Sequence, residues 1–212
     1  MKVEYNNTIL NIPERYAIDN LMDRFKNKIY ESSELSLLKY LESDKKVKNI
    51  ISVEANPELI NSLEQTKKDN ICSNLQFTNT IIDKTTPKRE IWTYDLIVAG
   101  SADRDDRDNP DYNNKWNKNI KKYNVKTTSI ENLEKNYNIH FDTLIIDIEG
   151  GELEFFKQNK NYIKDNITKI LVELHGRLMR DREFDNKCLN ILKDCGFNVV
   201  NRNNGSYYLN KK

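Results

Sequence analysis

Apolar residues in this chain fall in short periodic blocks, separated by turns rich in Asn, Asp and Lys. Residues 8–12 predict a short strand or arm, and residues 17–25 carry apolar positions at helical intervals. Ser32-Ser33-Glu34 stands ahead of Leu35, Leu37, Leu38 and Leu41, an N-cap signal before an amphipathic stripe, so a helix is expected to end near Asp44. Residues 47–53 read as a strand closing on Glu54-Ala55-Asn56-Pro57. Leu59, Ile60 and Leu63 then line one face of another helix, which makes a strand-turn-helix unit.

Further along, residues 75–82 predict a strand and residues 90–99 one or two more, ending at Gly100. Residues 101–119 form a polar stretch long enough to act as a loop or lid. Residues 125–128 predict a strand, and Ser129 caps a helix through Leu133. The run Thr143-Leu144-Ile145-Ile146 reads as a buried strand, followed by a helix from Glu152 to about Asn159. Residues 169–174 give the next strand, and residues 184–195 a helix stopped by Gly196. Residues 197–201 and 207–209, joined by Asn203-Asn204-Gly205, predict a terminal hairpin whose turn tolerates positive φ. The alternation predicts one α/β domain over residues 1–212. It is expected to hold a mostly parallel sheet with helices on both faces and a C-terminal antiparallel hairpin, with residues 1–30 as an N-terminal arm and helix.

Composition narrows the class. Charged residues make up 32% and hydrophobic ones 37%, a polar balance, yet the apolar blocks remain periodic, so the chain is read as globular. Lys and Arg number 34 against 33 Asp and Glu, and a formal charge of +1 gives no electrostatic case for nucleic acid. A small-molecule or glycan substrate is expected instead. Cys72, Cys188 and Cys195 lack metal-ligand spacing, which fits a reducing cytoplasm. No apolar stretch approaches the ~20 residues of a membrane span, so no membrane insertion is expected.

Chemistry concentrates at Asp147-Ile148-Glu149-Gly150-Gly151-Glu152, at the carboxyl end of a strand, where α/β sheets bind ligands. Asp147 and Glu149, two apart in an extended segment, share a face. Glu152 belongs to the helix start, where its charge complements the helix dipole. The two glycines let the backbone approach a ligand. Carboxylates here suit three tasks: orienting a cofactor ammonium, polarising an acceptor hydroxyl, or holding a divalent metal such as magnesium through Asp147 and Glu149. His175 follows Glu173 at the end of the next strand and is the candidate general base. In the polar stretch, Trp116 and Tyr112 suit stacking on a sugar ring, with Arg104 and Arg107 as donors to its hydroxyls; a solvated loop is the alternative.

Four segments in this order carry a family resemblance: Tyr30-Glu31-Ser32-Ser33-Glu34-Leu35, Val53-Glu54-Ala55-Asn56-Pro57-Glu58-Leu59, Ile146-Asp147-Ile148-Glu149-Gly150-Gly151-Glu152 and Val172-Glu173-Leu174-His175. Over roughly residues 30–176 the chain resembles the FkbM family of S-adenosylmethionine-dependent O-methyltransferases. The resemblance implies a Rossmann-like methyltransferase fold, S-adenosylmethionine as cofactor and a sugar or glycan hydroxyl as acceptor. It places Glu54 at the ribose, Asn56 elsewhere in contact with the cofactor, Asp83 at the adenine, Asp147 at both cofactor and reaction centre, and Glu149 and His175 at the reaction centre. Glu173 would then touch substrate. The plainer alternatives are that Glu54 caps the helix after Pro57 and that Asp83 is a turn aspartate.

One departure matters. The family's first motif is a strand and an acidic-x-Gly-x-Gly turn that cradles the methionine end of the cofactor, and here no glycine precedes Gly100. Either residues 28–33 supply that turn with serines, or the strand and turn between Ser43 and Val47 are absent; the match at Tyr30 to Leu35 favours absence. Two other readings therefore stay open. One is a metal-dependent hydrolase or glycosyltransferase with Asp147, Glu149, Glu173 and His175 as ligands. The other is a degenerate, non-catalytic module.

Overall fold

The computed structural model describes residues 1–5, 8–12, 49–94, 97–101, 121–176, 179 and 181–211. Described residues up to Thr128 form one compact unit, and those from Ser129 onward form a second. The expected helices at 17–25 and after Ser33, and the stretch 102–119, lie outside the described residues.

The first unit opens with a hairpin of β1 (Lys2–Tyr5) and β2 (Thr8–Asn11). β3 (Ile50–Glu54) pairs in parallel with β4 (Leu75–Asn79), with α1 (Pro57–Asp69) between them in sequence. Asn56 starts α1: its Oδ1 accepts the Glu58 N–H at 3.0 Å, and Pro57 lacks the N–H that the first turn would leave unpaired. The hairpin is tied to this helix by polar contacts. Thr66 Oγ1 accepts the Asn11 N–H at 2.8 Å, Asn70 Oδ1 accepts the Ile9 N–H at 2.8 Å, and Lys2 pairs with Asp69 at 2.7 Å.

The strand expected over residues 75–82 divides at Thr80. Up to Asn79 the segment follows β3, whereas β5 (Ile81–Ile82) joins β8 (Lys121–Thr128) in parallel. Thr80 is buried at the switch and donates its hydroxyl to the Lys126 carbonyl at 2.8 Å. β6 (Lys88–Tyr94) lies antiparallel to both β8 and β7 (Ile97–Ser101), in the order β5-β8-β6-β7.

In the second unit, α2 (Ile130–Tyr137) begins as expected at Ser129, whose Oγ accepts the Asn132 N–H at 3.1 Å. Next in sequence come β9 (Thr143–Ile146), α3 (Glu152–Asn166), β10 (Lys169–Glu173) and α4 (Phe184–Asp194). The chain closes with β11 (Phe197–Asn203) and β12 (Ser206–Lys211). Helix α3 runs past the expected stop because the buried Asn159 donates back to the Phe155 carbonyl at 2.9 Å instead of breaking the helix. The terminal hairpin forms as expected, turning through Asn204 at φ 47° and Gly205 at φ 100°.

Sheet order here is β11-β12-β10-β9, and Ile170, Leu171 and Val172 of β10 are buried consecutively, so both faces of that strand are covered. Phe156 and Ile163 of α3 and Cys188 and Leu192 of α4 are fully buried, as is Leu209 of β12. Each such apolar side chain contributes roughly 1.5–3 kcal/mol when removed from water.

The expectation of a mostly parallel sheet needs correction. The fold is α/β, but its sheets are mixed: β3–β4, β5–β8 and β9–β10 are parallel, whereas β1–β2, β6–β7, β6–β8, β10–β12 and β11–β12 are antiparallel. The hairpins at β1–β2, β6–β7 and β11–β12 account for the excess, since connections that short can only return the chain antiparallel.

Candidate functional site

β9 and β10 run in parallel with Val172 opposite Ile146, so both strands leave the sheet at the same edge. Asp147 follows the first directly, and His175 comes two residues after Glu173 ends the second. Between Asp147 and α3 the chain turns sharply, with Glu149 at φ 53° and Gly150 at φ 103°. Glycine suits the second position for conformation and for space, because a Cβ there would overlap the Met179 side chain. Met179 is held close by donating its N–H to the His175 carbonyl at 3.1 Å.

The turn delivers Glu152 inward. Its side chain is 0% exposed, and Oε1 faces both the Gly150 N–H, at 3.1 Å, and Nδ1 of His175, at 2.8 Å. Oε2 is buried with no hydrogen-bond partner. The His175 side chain is itself 10% exposed, and its Nε2 lies 3.6 Å from both Asp147 Oδ1 and Glu149 Oε2. Burial by itself would lower the basicity of this imidazole. The hydrogen bond from Glu152, with the charges of Glu152, Glu149 and Asp147, outweighs burial and pushes its pKa up to about 9.

Three of the residues expected in the site are thus brought together: Asp147, Glu149 and His175 present ligand-type atoms within 4.8 Å of one another. Glu173 ends β10 and is not in that group. Glu152, read from sequence as a dipole-complementing surface acid, is instead the buried partner of His175. Glu152 is the first residue of α3, directly after Gly150 and Gly151, and that position alone does not separate the two roles.

Glu54, Asn56 and Asp83 belong to the first unit. Glu54 Oε1 accepts the Asn56 N–H at 2.6 Å, next to the helix, while the cap itself is the Asn56 side chain just described. Asp83 is buried; its Oδ1 accepts from the Thr85 N–H at 2.7 Å and hydroxyl at 2.6 Å, and its Oδ2 lies 2.5 Å from Arg89 Nε. Arg104, Tyr112 and Trp116 lie outside the described residues. Cys188 is buried, and burial first, then the nearby charges of Glu152 and Asp185, push its thiol up to about 12.

In open α/β sheets ligands bind at the carboxyl ends of the strands, and that is the edge where Asp147, Glu149 and His175 gather. Residues 23–199 match the model of the methyltransferase FkbM domain. The chain belongs to that family and is a methyltransferase by class. It matches no curated protein and no solved structure. No helix among the described residues is long and apolar enough to cross a membrane.

Proposed function

We propose that this chain is an S-adenosylmethionine-dependent O-methyltransferase acting on a sugar or glycan hydroxyl. The observation that carries the reading is the convergence of Asp147, Glu149 and His175 at the shared edge of β9 and β10, in a chain of the FkbM family. The acceptor class rests on the family resemblance.

The residues fit the adenosyl part of the cofactor better than its methionine part. Glu54 ends a parallel strand, where a carboxylate suits ribose hydroxyls, and Asn56 begins the following helix. The methionine end has no glycine cradle before Gly100; unless residues 28–33 supply that turn with serines, cofactor affinity is reduced. When bound, the cofactor supplies a methyl group on a sulfonium.

The chain's own part is positioning and proton removal. Glu152 accepts the Nδ1–H of His175, and this fixes the tautomer that leaves Nε2 facing Asp147 and Glu149. In molecules whose ring is neutral, a fraction that rises as pH approaches 9, Nε2 takes the proton of the acceptor hydroxyl as that oxygen attacks, and the surrounding carboxylates stabilise the imidazolium formed. Asp147 and Glu149 accept hydrogen bonds from neighbouring acceptor hydroxyls and hold the nucleophile in line.

Calorimetry with S-adenosylhomocysteine and transfer of a labelled methyl group to a glycan panel test this reading. Measurable binding is expected. His175→Gln should lower turnover by about 10²–10⁴-fold while leaving that binding intact. Absence of any adenosyl binding, or full turnover in His175→Gln, would sink it.

A further inference from the structure

We propose that β9 is a dimerisation edge: two copies of this chain pair antiparallel through it, about a two-fold axis at Ile145, and join their sheets into one. The inference uses the second unit alone and stands whether or not the chain transfers methyl groups.

The backbone supplies the first argument. Among the described residues, β9 ends the sheet order β11-β12-β10-β9. The Asp142 carbonyl accepts the Lys169 N–H at 3.2 Å, which sets the ladder to β10 on residues 142, 144 and 146. The N–H and C=O groups of Thr143 and Ile145 therefore point away from β10, and no strand among the described residues meets them. The Ile145 side chain is 64% exposed, although Leu171 beside it on β10 is 2% exposed. Parallel strands are ordinarily covered on both faces, so cover on this face stops one strand short.

The contrast with the opposite edge supplies the second. Sheet edges that must stay single are blunted by bulges, proline or charged side chains. β11 carries a bulge between Val199 and Asn201 and includes Arg202. Thr143-Leu144-Ile145-Ile146 has no charge, no proline and an unbroken register with β10. Only one of the two edges is thus fit for pairing.

Register selects the occupant. Antiparallel copies with Ile145 opposite Ile145 turn the outward residues of β9 into hydrogen-bonded pairs, and the pair on the axis exchanges two N–H···O bonds. In the same register Leu144 faces Ile146 and Thr143 faces Asp147. Apolar meets apolar, a hydroxyl meets a carboxylate, and no like charges stand opposite. A strand that complements its own copy makes an isologous contact, which closes at two chains. Because the pair is antiparallel, the two groups of Asp147, Glu149 and His175 lie at opposite ends of the joined strands.

The test uses the full, tag-free chain. Sedimentation velocity over a dilution series should show a rise from the mass of one chain to that of two, with half-dissociation at roughly 10–100 µM, since one strand pair buries less than the ~1,200 Å² of stable complexes. Amide exchange at Ile145 should slow as concentration rises, a readout that needs no variant. Ile145→Lys sets two like charges on the axis and should weaken the dimer by at least about tenfold, while the fold is kept because the side chain is already exposed. In a Cys72→Ser background, Ile145→Cys should form a disulfide between copies as oxidised glutathione takes up the two thiol hydrogens, because Cα atoms of a hydrogen-bonded antiparallel pair stand about 5.5 Å apart. Thr143→Cys should not, since four residues at about 3.4 Å each separate its two copies. A monomer at every concentration, a dimer indifferent to a folded Ile145→Lys, or equal cross-linking through Thr143→Cys would overturn the proposal.

Discussion

Both units contain a parallel strand pair joined through a helix, and both end the leading strand on a carboxylate, yet they spend these features differently. In the first, β3 has Ile50 and Val53 exposed, and α1 has no buried residue. Among that unit's residues with described side chains, Ile91 and Val125 are the only buried apolar ones. In the second, β10 is buried on both faces against fully buried residues of α3, α4 and β12. The acids diverge in the same way. Glu54 and Asp83 meet N–H groups, a hydroxyl and Arg89, whereas Asp147 and Glu149 face a histidine. The acids that gather round His175 thus sit at the end of the sheet whose strand β10 is buried on both faces, and those of the first unit on a less buried one.

The most direct way to break this comparison is to remove matched apolar groups. Phe156→Ala should destabilise by about 3–5 kcal/mol, since the ring is fully buried and its removal leaves a cavity. Leu63→Ala in the half-buried face of α1 should cost about 1 kcal/mol. Urea unfolding of both variants reads the difference, and equal losses would show that the first unit is packed as tightly as the second.

Next in size is the contrast between Glu152, at the start of α3, and Glu54, at the end of β3. Glu152→Ala removes the partner of a nearly buried, protonated histidine and should cost about 3 kcal/mol, as breaking a buried ion pair does. Glu54→Ala loses one hydrogen bond at a half-exposed turn and should cost about 1 kcal/mol. A double-mutant cycle of Glu152→Ala with His175→Ala sharpens the point: strong coupling is expected, and simple additivity would mean that the 2.8 Å contact carries no energy.

How far the sequence foretold all this follows the same division. Strands and helices were legible wherever an apolar run met a cap, as at Ser129 and Asn56, because local hydrogen bonding decides those boundaries. Partner choice was not. Nothing local distinguishes a strand that continues through Thr80 from one that changes sheets there, so the mixed sheets escaped a reading built on alternation. Asp147, Glu149 and His175 were legible because adjacent parallel strands must end at one edge. The role of Glu152 was not, since a surface acid complementing a dipole and a buried acid gripping a histidine share one sequence pattern.

The smallest expected effect concerns how the first unit holds its N-terminal hairpin. Asp69 accepts from Lys2, Asn11 and Gln65, and these bonds hold its carboxyl down to about 2, with the Lys2 contact foremost. Because this folded value lies below the ordinary 3.8, protons bind the unfolded chain more readily. The contribution is therefore fully present above about pH 4 and disappears as pH falls toward 2. Carbon-detected titration of the Asp69 carboxyl in Lys2→Ala should move its midpoint back toward 3.8, with faster exchange of the Asn11 amide. The apolar contacts of β10 titrate nowhere in this range, so acid should loosen the hairpin before it touches that core. A wild-type midpoint already at 3.8 would show that the bonds to Asp69 contribute nothing to holding the hairpin on α1.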